Sequence, residues 1–454
     1  MQTPLLLLEL NEVNFEFVEA YARRGALPNF GALFREHGYV RTRSEAKYEE
    51  LEPWIQWVTA HTGRSFAEHG VFRLGDIVAR DIPQIWELLE ARGLKVGAIS
   101  PMNAKHRLRD PAFFVPDPWT RTEISAPRTL RNLYAALAQA VNENASSRLT
   151  PSSAIALLAG VARYARPSNY PRYAQLALGA ASRPWLRASF LDLLLADVFI
   201  HEVRRTRPQF ASLFVNAAAH IQHHYMFSAA PYDGPHRNPE WYVPRNLDPV
   251  LGIYELYDHI FASVRRAFPD SRIMVATGLH QDPYPELKYY WRLKNHEAFL
   301  RRIGVPFASV TPLMSRDFAI TCTDAAQARA AAQRLSEARA SDGAPLFEID
   351  NRGTDLFAML VYPGPIEQGF RFSVGEAQYQ NLRDDVAFVA LKNGEHNGTG
   401  YFLDTGAAQG SVPAEFPLTE MPQRIMQALG VEHYNEYSEG PRCMTRAFSS
   451  QSSL

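Results

Sequence analysis

The chain has almost no cysteine. Among 454 residues only Cys322 and Cys443 occur, which excludes a disulfide-stapled scaffold and any zinc site of the CxxC kind. It lacks an excess of either charge as well: 47 Lys and Arg stand against 48 Asp and Glu, a net charge of −1. That balance argues against a basic nucleic-acid binder and against a polybasic membrane docker. Long hydrophobic runs are also missing. The apolar run at 5–8 is too short for a signal peptide, has no basic segment before it, and is followed closely by Asn11 and Glu12. The stretches 154–161 and 190–200 are too short or too interrupted to span a bilayer. The expectation is a cytoplasmic protein with no membrane span and no nucleic-acid partner.

What is present fits a large globular chain. Hydrophobic residues make up 46% and charged residues 21%, ordinary values for a soluble fold. The length corresponds to roughly three units of about 150 residues, or to one large α/β unit with insertions. The first segment reads as a buried strand (5–10), a turn at Asn11-Glu12, a helix to about 24, and further helices from 28, 54 and 83 before a strand at 95–99. This rhythm predicts an α/β fold with a mostly parallel central sheet and helices on both faces. An Ala-, Leu-, Arg- and Tyr-rich stretch at 127–207 reads as a helical insertion. Strands at 211–215 and 273–276 follow, with a helix at 254–268 between them. A small α+β subdomain is expected at 306–390, with a helix at 325–340. The main domain then comprises 1–305 and 391–440, and the Ser-rich stretch 441–454 reads as a flexible tail.

Fourteen histidines are present, and several fall where an open α/β sheet gathers its functional groups, beyond the carboxyl ends of strands. Asn11-Glu12 follows the first strand. His220, His223 and His224 follow 211–215. His280 and Asp282 follow 273–276. Glu395-His396-Asn397 forms a Gly-flanked turn before a strand at 401–404. Histidines after separate strands converge on one crevice, and imidazole with carboxylate suits Zn²⁺, Mn²⁺ or Fe²⁺. On a helix, His220 and His224 share a face and His223 lies beside them, a spacing that presents two imidazoles to one metal. The same run also fits a polar helix start whose imidazoles bond to backbone. Glu52-Pro53-Trp54 places Pro53 at the first position of a helix and Glu52 at its N-cap.

The order of these segments resembles the alkaline phosphatase superfamily, in its type I phosphodiesterase/nucleotide pyrophosphatase branch. Leu8-Glu9-Leu10-Asn11-Glu12-Val13, then Gly25-Ala26-Leu27-Pro28-Asn29-Phe30, is similar to that family's strand, Asp-Gly turn and Gly-x-Leu-Pro-Asn-Phe. Trp57 through Thr62-Gly63 and on to His69-Gly70 resembles the segment after its nucleophile. Asn216 to Met226 resembles its Asp-x-x-x-His-x-x-Trp segment, and Glu395-His396 to Gly400 its closing Thr-His-x-x-x-Gly. The departures are specific. The family's first metal Asp falls on Asn11, its hydroxyl nucleophile on or beside Glu52, and its middle Asp on Ala219, next to His220. The middle His falls on His223. Its Asp-His pair falls near Thr277-Gly278, with His280 slightly later, and its last His falls on His396.

The resemblance implies hydrolysis or transfer at a phosphate or sulfate ester of a small molecule. The surrounding residues imply a rebuilt, histidine-rich metal site drawn from Asn11, Glu12, His220, His223, His224, His280 and His396, with zinc the expected metal and manganese or iron the alternatives. Glu52 is expected to serve as metal ligand, water-orienting base or nucleophile, in that order, or else as a simple helix cap. The competing expectation is a binding or scaffold protein on the same fold.

Overall fold

Six consecutive buried residues, Leu5–Leu10, form the first strand and show how the sheet is covered. Leu6, Leu8 and Leu10 pack into one hydrophobic cluster, and Leu5 and Leu7 into another. Side chains alternate along a strand, so both faces of the sheet are buried. A continuous apolar run is what such a strand requires. Glu9 interrupts that run and is fully buried; its Oε1 lies 2.8 Å from His61 Nε2, on a helix behind the sheet. A carboxylate in a core needs such a partner.

These elements belong to a computed structural model that describes residues 4–45, 47–142, 150–313, 316–407 and 413–431. The stretch expected to form a tail, 441–454, lies outside the described residues. The central sheet has eight strands, in the order Glu415–Pro417, Val40–Arg43, Thr399–Asp404, Arg272–Ala276, Leu5–Leu10, Phe210–Val215, Val96–Ile99, Phe113–Val115. Every neighbouring pair is parallel except the two made by Thr399–Asp404. Helices Phe15–Arg23, Pro28–His37, Leu186–Thr206, Ala217–Tyr225 and Pro249–Ala267 cover one face. Helices Pro53–Thr62, Ile85–Glu90 and Met421–Ala428 cover the other. The α/β architecture is therefore a mixed, mostly parallel sheet with helices on both sides. Within 127–207 lie Arg128–Asn142, Pro151–Tyr164, Tyr170–Gly179 and Leu186–Thr206, and all four join the first cluster.

The sequence pattern misses a long antiparallel ribbon. His280–Leu293 pairs with Val386–Asn397, leaves the sheet and enters a smaller α+β body. That body has its own cluster, which takes in Trp291, Leu293 and Val386 from the ribbon together with most of the segment 306–390. Glu395-His396-Asn397 is thus the end of a strand rather than a free turn. Within the small body the helix expected at 325–340 stops at Ser336. Ala338–Ala340 is a strand, because Ala338 and Ala340 are buried and pair with Val374 and Phe372. Alanine favours a helix, but sheet pairing decides here. Among the described residues no helix is long and apolar enough to cross a membrane.

Gly400 marks the tightest point between the reversed strand and its neighbours. A Cβ there would fall on the Thr42 hydroxyl and 2.6 Å from the carbonyl oxygen of Gly278. Gly400→Ala should therefore cost roughly 1–3 kcal/mol through overpacking. A denaturation midpoint equal to that of the unsubstituted protein would show that the strand shifts freely.

Candidate metal centre

The first strand ends in a turn that holds a carboxylate inside the protein. Glu12 has φ 60, a left-handed conformation that non-glycine residues seldom adopt. Its N–H donates to the Thr277 carbonyl at 3.1 Å, and the residue is only 2% exposed. Asn11 Nδ2 donates to Glu12 Oε1 at 2.9 Å, and Gln281 Nε2 donates to Oε2 at 2.5 Å. Gln222 Nε2 donates to the Glu12 backbone carbonyl at 2.7 Å. Trp57 Nε1 donates to Asn11 Oδ1 at 2.7 Å. An indole N–H can only donate, so it turns the Asn11 amide nitrogen toward Glu12 and toward Asn216 Oδ1, 2.7 Å away. Asn11 thereby orients Glu12.

The second contribution comes from the helix Ala217–Tyr225, which follows strand Phe210–Val215. Its first N–H groups are satisfied from outside. Asp192 Oδ2 accepts from Asn216 N at 3.1 Å and from Ala217 N at 2.7 Å, and also from the Tyr257 hydroxyl at 2.7 Å. Burial pushes the Asp192 carboxyl up to about 6. So anchored, the helix brings His223 against the ribbon. His223 Nδ1 lies 3.5 Å from the Gly394 carbonyl oxygen. A carbonyl only accepts, so Nδ1 is the donor of that contact, and Nε2 is the ring nitrogen turned toward Glu12. A Cβ at Gly394 would strike Gln281 Oε1 and come within 3.0 Å of the Gln222 carbonyl. Helix and ribbon approach this closely because residue 394 has no side chain.

The ribbon supplies the third group. His396 is the register partner of Gln281, and Asn397 is the partner of His280. Directly opposed residues share a face of the ribbon. His396 and Gln281 therefore both point at Glu12, while His280 points to the other face. The result is a triangle: Glu12 Oε2 lies 3.1 Å from His396 Nε2 and 3.3 Å from His223 Nε2, and the two imidazole nitrogens lie 3.3 Å apart. Burial alone would raise the Glu12 carboxyl, but the imidazoles of His396 and His223 hold it well below the usual carboxylate range. His396 moves the other way; burial lowers it and the Glu12 carboxylate more than compensates, so it is raised.

Three of the residues singled out from sequence, Glu12, His223 and His396, thus meet with their ligating atoms together. Glu52 stands behind His396, its Oε2 3.8 Å from Nδ1. It occupies the N-cap position of Pro53–Thr62, but its side chain makes no capping hydrogen bond; its backbone carbonyl accepts from Ile55 and Gln56 instead. Burial raises its carboxyl. His280 lies apart, with Nδ1 at the Thr399 carbonyl and Nε2 3.1 Å from Asp282. His224 Nδ1 faces the Leu391 carbonyl at 3.2 Å, and its ring lies edge-on to that of His220. Sequence reasoning gives no role to Gln222 or Gln281, and it names Trp57 only as part of the resembling segment. The available signal was their position: Gln222 sits within the histidine run, and Gln281 beside His280.

No family model matches the chain, and no curated protein sequence does. Among solved structures it is similar to a phosphonoacetate hydrolase from Sinorhizobium meliloti 1021 bound to phosphonoformate, at 11% identity over 94% of this chain and 96% of that one, with a TM-score of 0.43. It is also similar to human ectonucleotide pyrophosphatase/phosphodiesterase 5, at 11% identity over 95% and 96%, with a TM-score of 0.44. A 2-O GAG sulfatase shows 8% identity over 96% and 73%, with a TM-score of 0.41.

The donor set fits a divalent cation. Ligand atoms about 2.0–2.1 Å from a tetrahedral metal stand roughly 3.3–3.4 Å from one another, close to the spacings of the triangle. Two histidines with one carboxylate make up a recognised catalytic zinc set that leaves a position open, and the same set serves iron(II). His223→Ala and His396→Ala should each leave less than stoichiometric metal after equilibration with zinc, whereas His280→Ala should keep a full complement. Equal retention by all three would remove the triangle as a binding site. Gln281→Leu keeps the three ligating groups but frees the Glu12 carboxylate, and should weaken zinc about 10- to 100-fold in a competition titration with a chelator.

Proposed function

We propose that the protein is a metal-dependent hydrolase of phosphate or sulfate esters of small molecules. In this reading Glu12, His223 and His396 hold one divalent cation, zinc first and iron or manganese otherwise. The single observation that carries the reading is the triangle, in which a turn, a helix and a ribbon each deliver one ligating atom to the same point. The reaction class rests on the sequence resemblance described above.

A divalent cation supplies Lewis acidity there, polarising an ester oxygen and acidifying water. The chain's own residues do the rest. Glu12 stays ionised between the imidazoles, and Asn11 and Gln281 fix its two oxygens. His223 is locked by the Gly394 carbonyl. Glu52 stands where the resembling family carries a hydroxyl nucleophile, so direct attack by water replaces a covalent step. Glu52 takes the proton from that water, the ester P–O or S–O bond breaks, and the departing alcohol takes a proton from solvent. Its Oε2 faces Nδ1 of His396, the ring nitrogen that lies outside the triangle, a position that suits a base better than a ligand. That reverses the order of roles expected from sequence.

Turnover of aryl phosphate mono- and diesters and aryl sulfates, screened with zinc, manganese and iron(II), tests the class. Glu52→Gln should lower kcat about 10²- to 10⁴-fold while metal content stays full. Full activity in that variant would leave Glu52 with no chemical role. Absence of turnover with every ester and metal would favour the binding-protein alternative, and full metal content without turnover would favour it most.

A further inference from the structure

The ribbon carries a second polar cluster that the metal centre does not use. Lys288 and Lys392 are register partners on its two strands. Like charges placed directly opposite each other destabilise a strand pair. Arg316 adds a third cation, its guanidinium carbon 4.2 Å from the Tyr290 ring centroid, and Lys392 Nζ lies 3.7 Å from the centroid of Tyr284. All three are half-buried, Arg316 and Lys392 against these rings. Glu286, Glu348 and Glu395 act on the lysines electrostatically, yet none of the three cations forms an ion pair among the described residues. Burial and then the Arg316 guanidinium lower the Lys288 ammonium. The cluster also reaches the centre. Lys392 precedes His396 by four residues on the same strand, and its charge acts on both Glu52 and His396. Tyr48, 55% exposed, stands near enough to feel both Glu52 and Tyr284.

We propose that Lys288, Lys392 and Arg316 form a subsite that takes a second anionic group of the substrate, so that the ester cleaved carries a remote carboxylate, sulfate or phosphate. This inference rests on the reading of the centre given above. Lys288 and Lys392 on the ribbon and Arg316 beside it from the small body stand close together. Glu286, Glu348 and Glu395 balance their charge without forming an ion pair with them, so an anion seated among the three gains charge-assisted hydrogen bonds that the protein itself leaves unmade. Cations needed only for solubility would stand apart, with their ammonium groups in water.

The test uses the metal-loaded protein and calorimetric competition. Sulfoalkylphosphonates with two to four carbons between the charges are compared with simple alkylphosphonates of the same length. At least one length should bind about tenfold tighter than the alkylphosphonate that lacks the sulfonate. Lys288→Met and Lys392→Met should each remove most of that ratio, and Lys392→Arg should retain it. A ratio near one at every length, or a ratio the methionine variants leave intact, overturns the subsite. If the alkylphosphonates themselves do not bind, the proposed function fails, and the subsite is then decided by melting alone. Lys288→Met relieves the like-charge pair, so it should raise the melting temperature in chloride and reduce the rise that added sulfate gives the unsubstituted protein. A lower melting temperature, or an undiminished response to sulfate, overturns the subsite even then.

Discussion

A buried carboxylate facing two imidazole nitrogens at 3.1 and 3.3 Å is the constraint on which this site turns. Ionised, Glu12 needs positive charge beside it, because an isolated carboxylate away from water is costly. The two Nε2 atoms, 3.3 Å apart, face each other as well as the carboxylate. Three lone-pair-bearing atoms at such spacing repel unless a proton or a cation lies among them. The surroundings are arranged to preserve this geometry. Glu12 is held in a left-handed turn, its two oxygens are bonded to Asn11 and Gln281, and its backbone carbonyl is bonded to Gln222.

Each of the three groups rides on a different element, and each element is fixed by something outside the site. The strand of Glu12 lies in the middle of the central sheet, parallel to both neighbours. The helix of His223 has its free N–H groups answered by Asp192, from the helix Leu186–Thr206. The ribbon of His396 is rooted at its far end in the small body's own core, through Trp291, Leu293 and Val386. Gly394 lets helix and ribbon close on one another. One strand of the ribbon thus runs from the small body's core, at Val386, to His396.

The strands and helices of the main sheet were legible because their signals are local: continuous apolar runs for strands buried on both faces, and proline or asparagine at helix starts. His223 and His396 were legible because they stand at the ends of such elements. The ribbon was not, because its polar and aromatic residues alternate weakly and its partner strand lies about a hundred residues away in sequence. Missing the ribbon misplaced His280. On a strand, adjacent residues point to opposite faces, so Gln281, not His280, turns toward Glu12. Helical spacing alone did not rank the three histidines of one run; the resemblance pointed to His223, and Gly394 brings the ribbon against that residue. Glu52 was placed at a helix start and expected to face the site, but its specific neighbour, His396, comes from the ribbon and was not legible.

The central claim is a cation at the meeting point of Glu12, His223 and His396. Anomalous diffraction from crystals of protein equilibrated with zinc, collected on both sides of the zinc absorption edge, tests it most directly. The account predicts one strong peak about 2.0–2.2 Å from Glu12 Oε2 and from the Nε2 atoms of His223 and His396. A peak bound instead by His220, His224 or His280, or crystals with full zinc occupancy elsewhere and none between these three atoms, would contradict it.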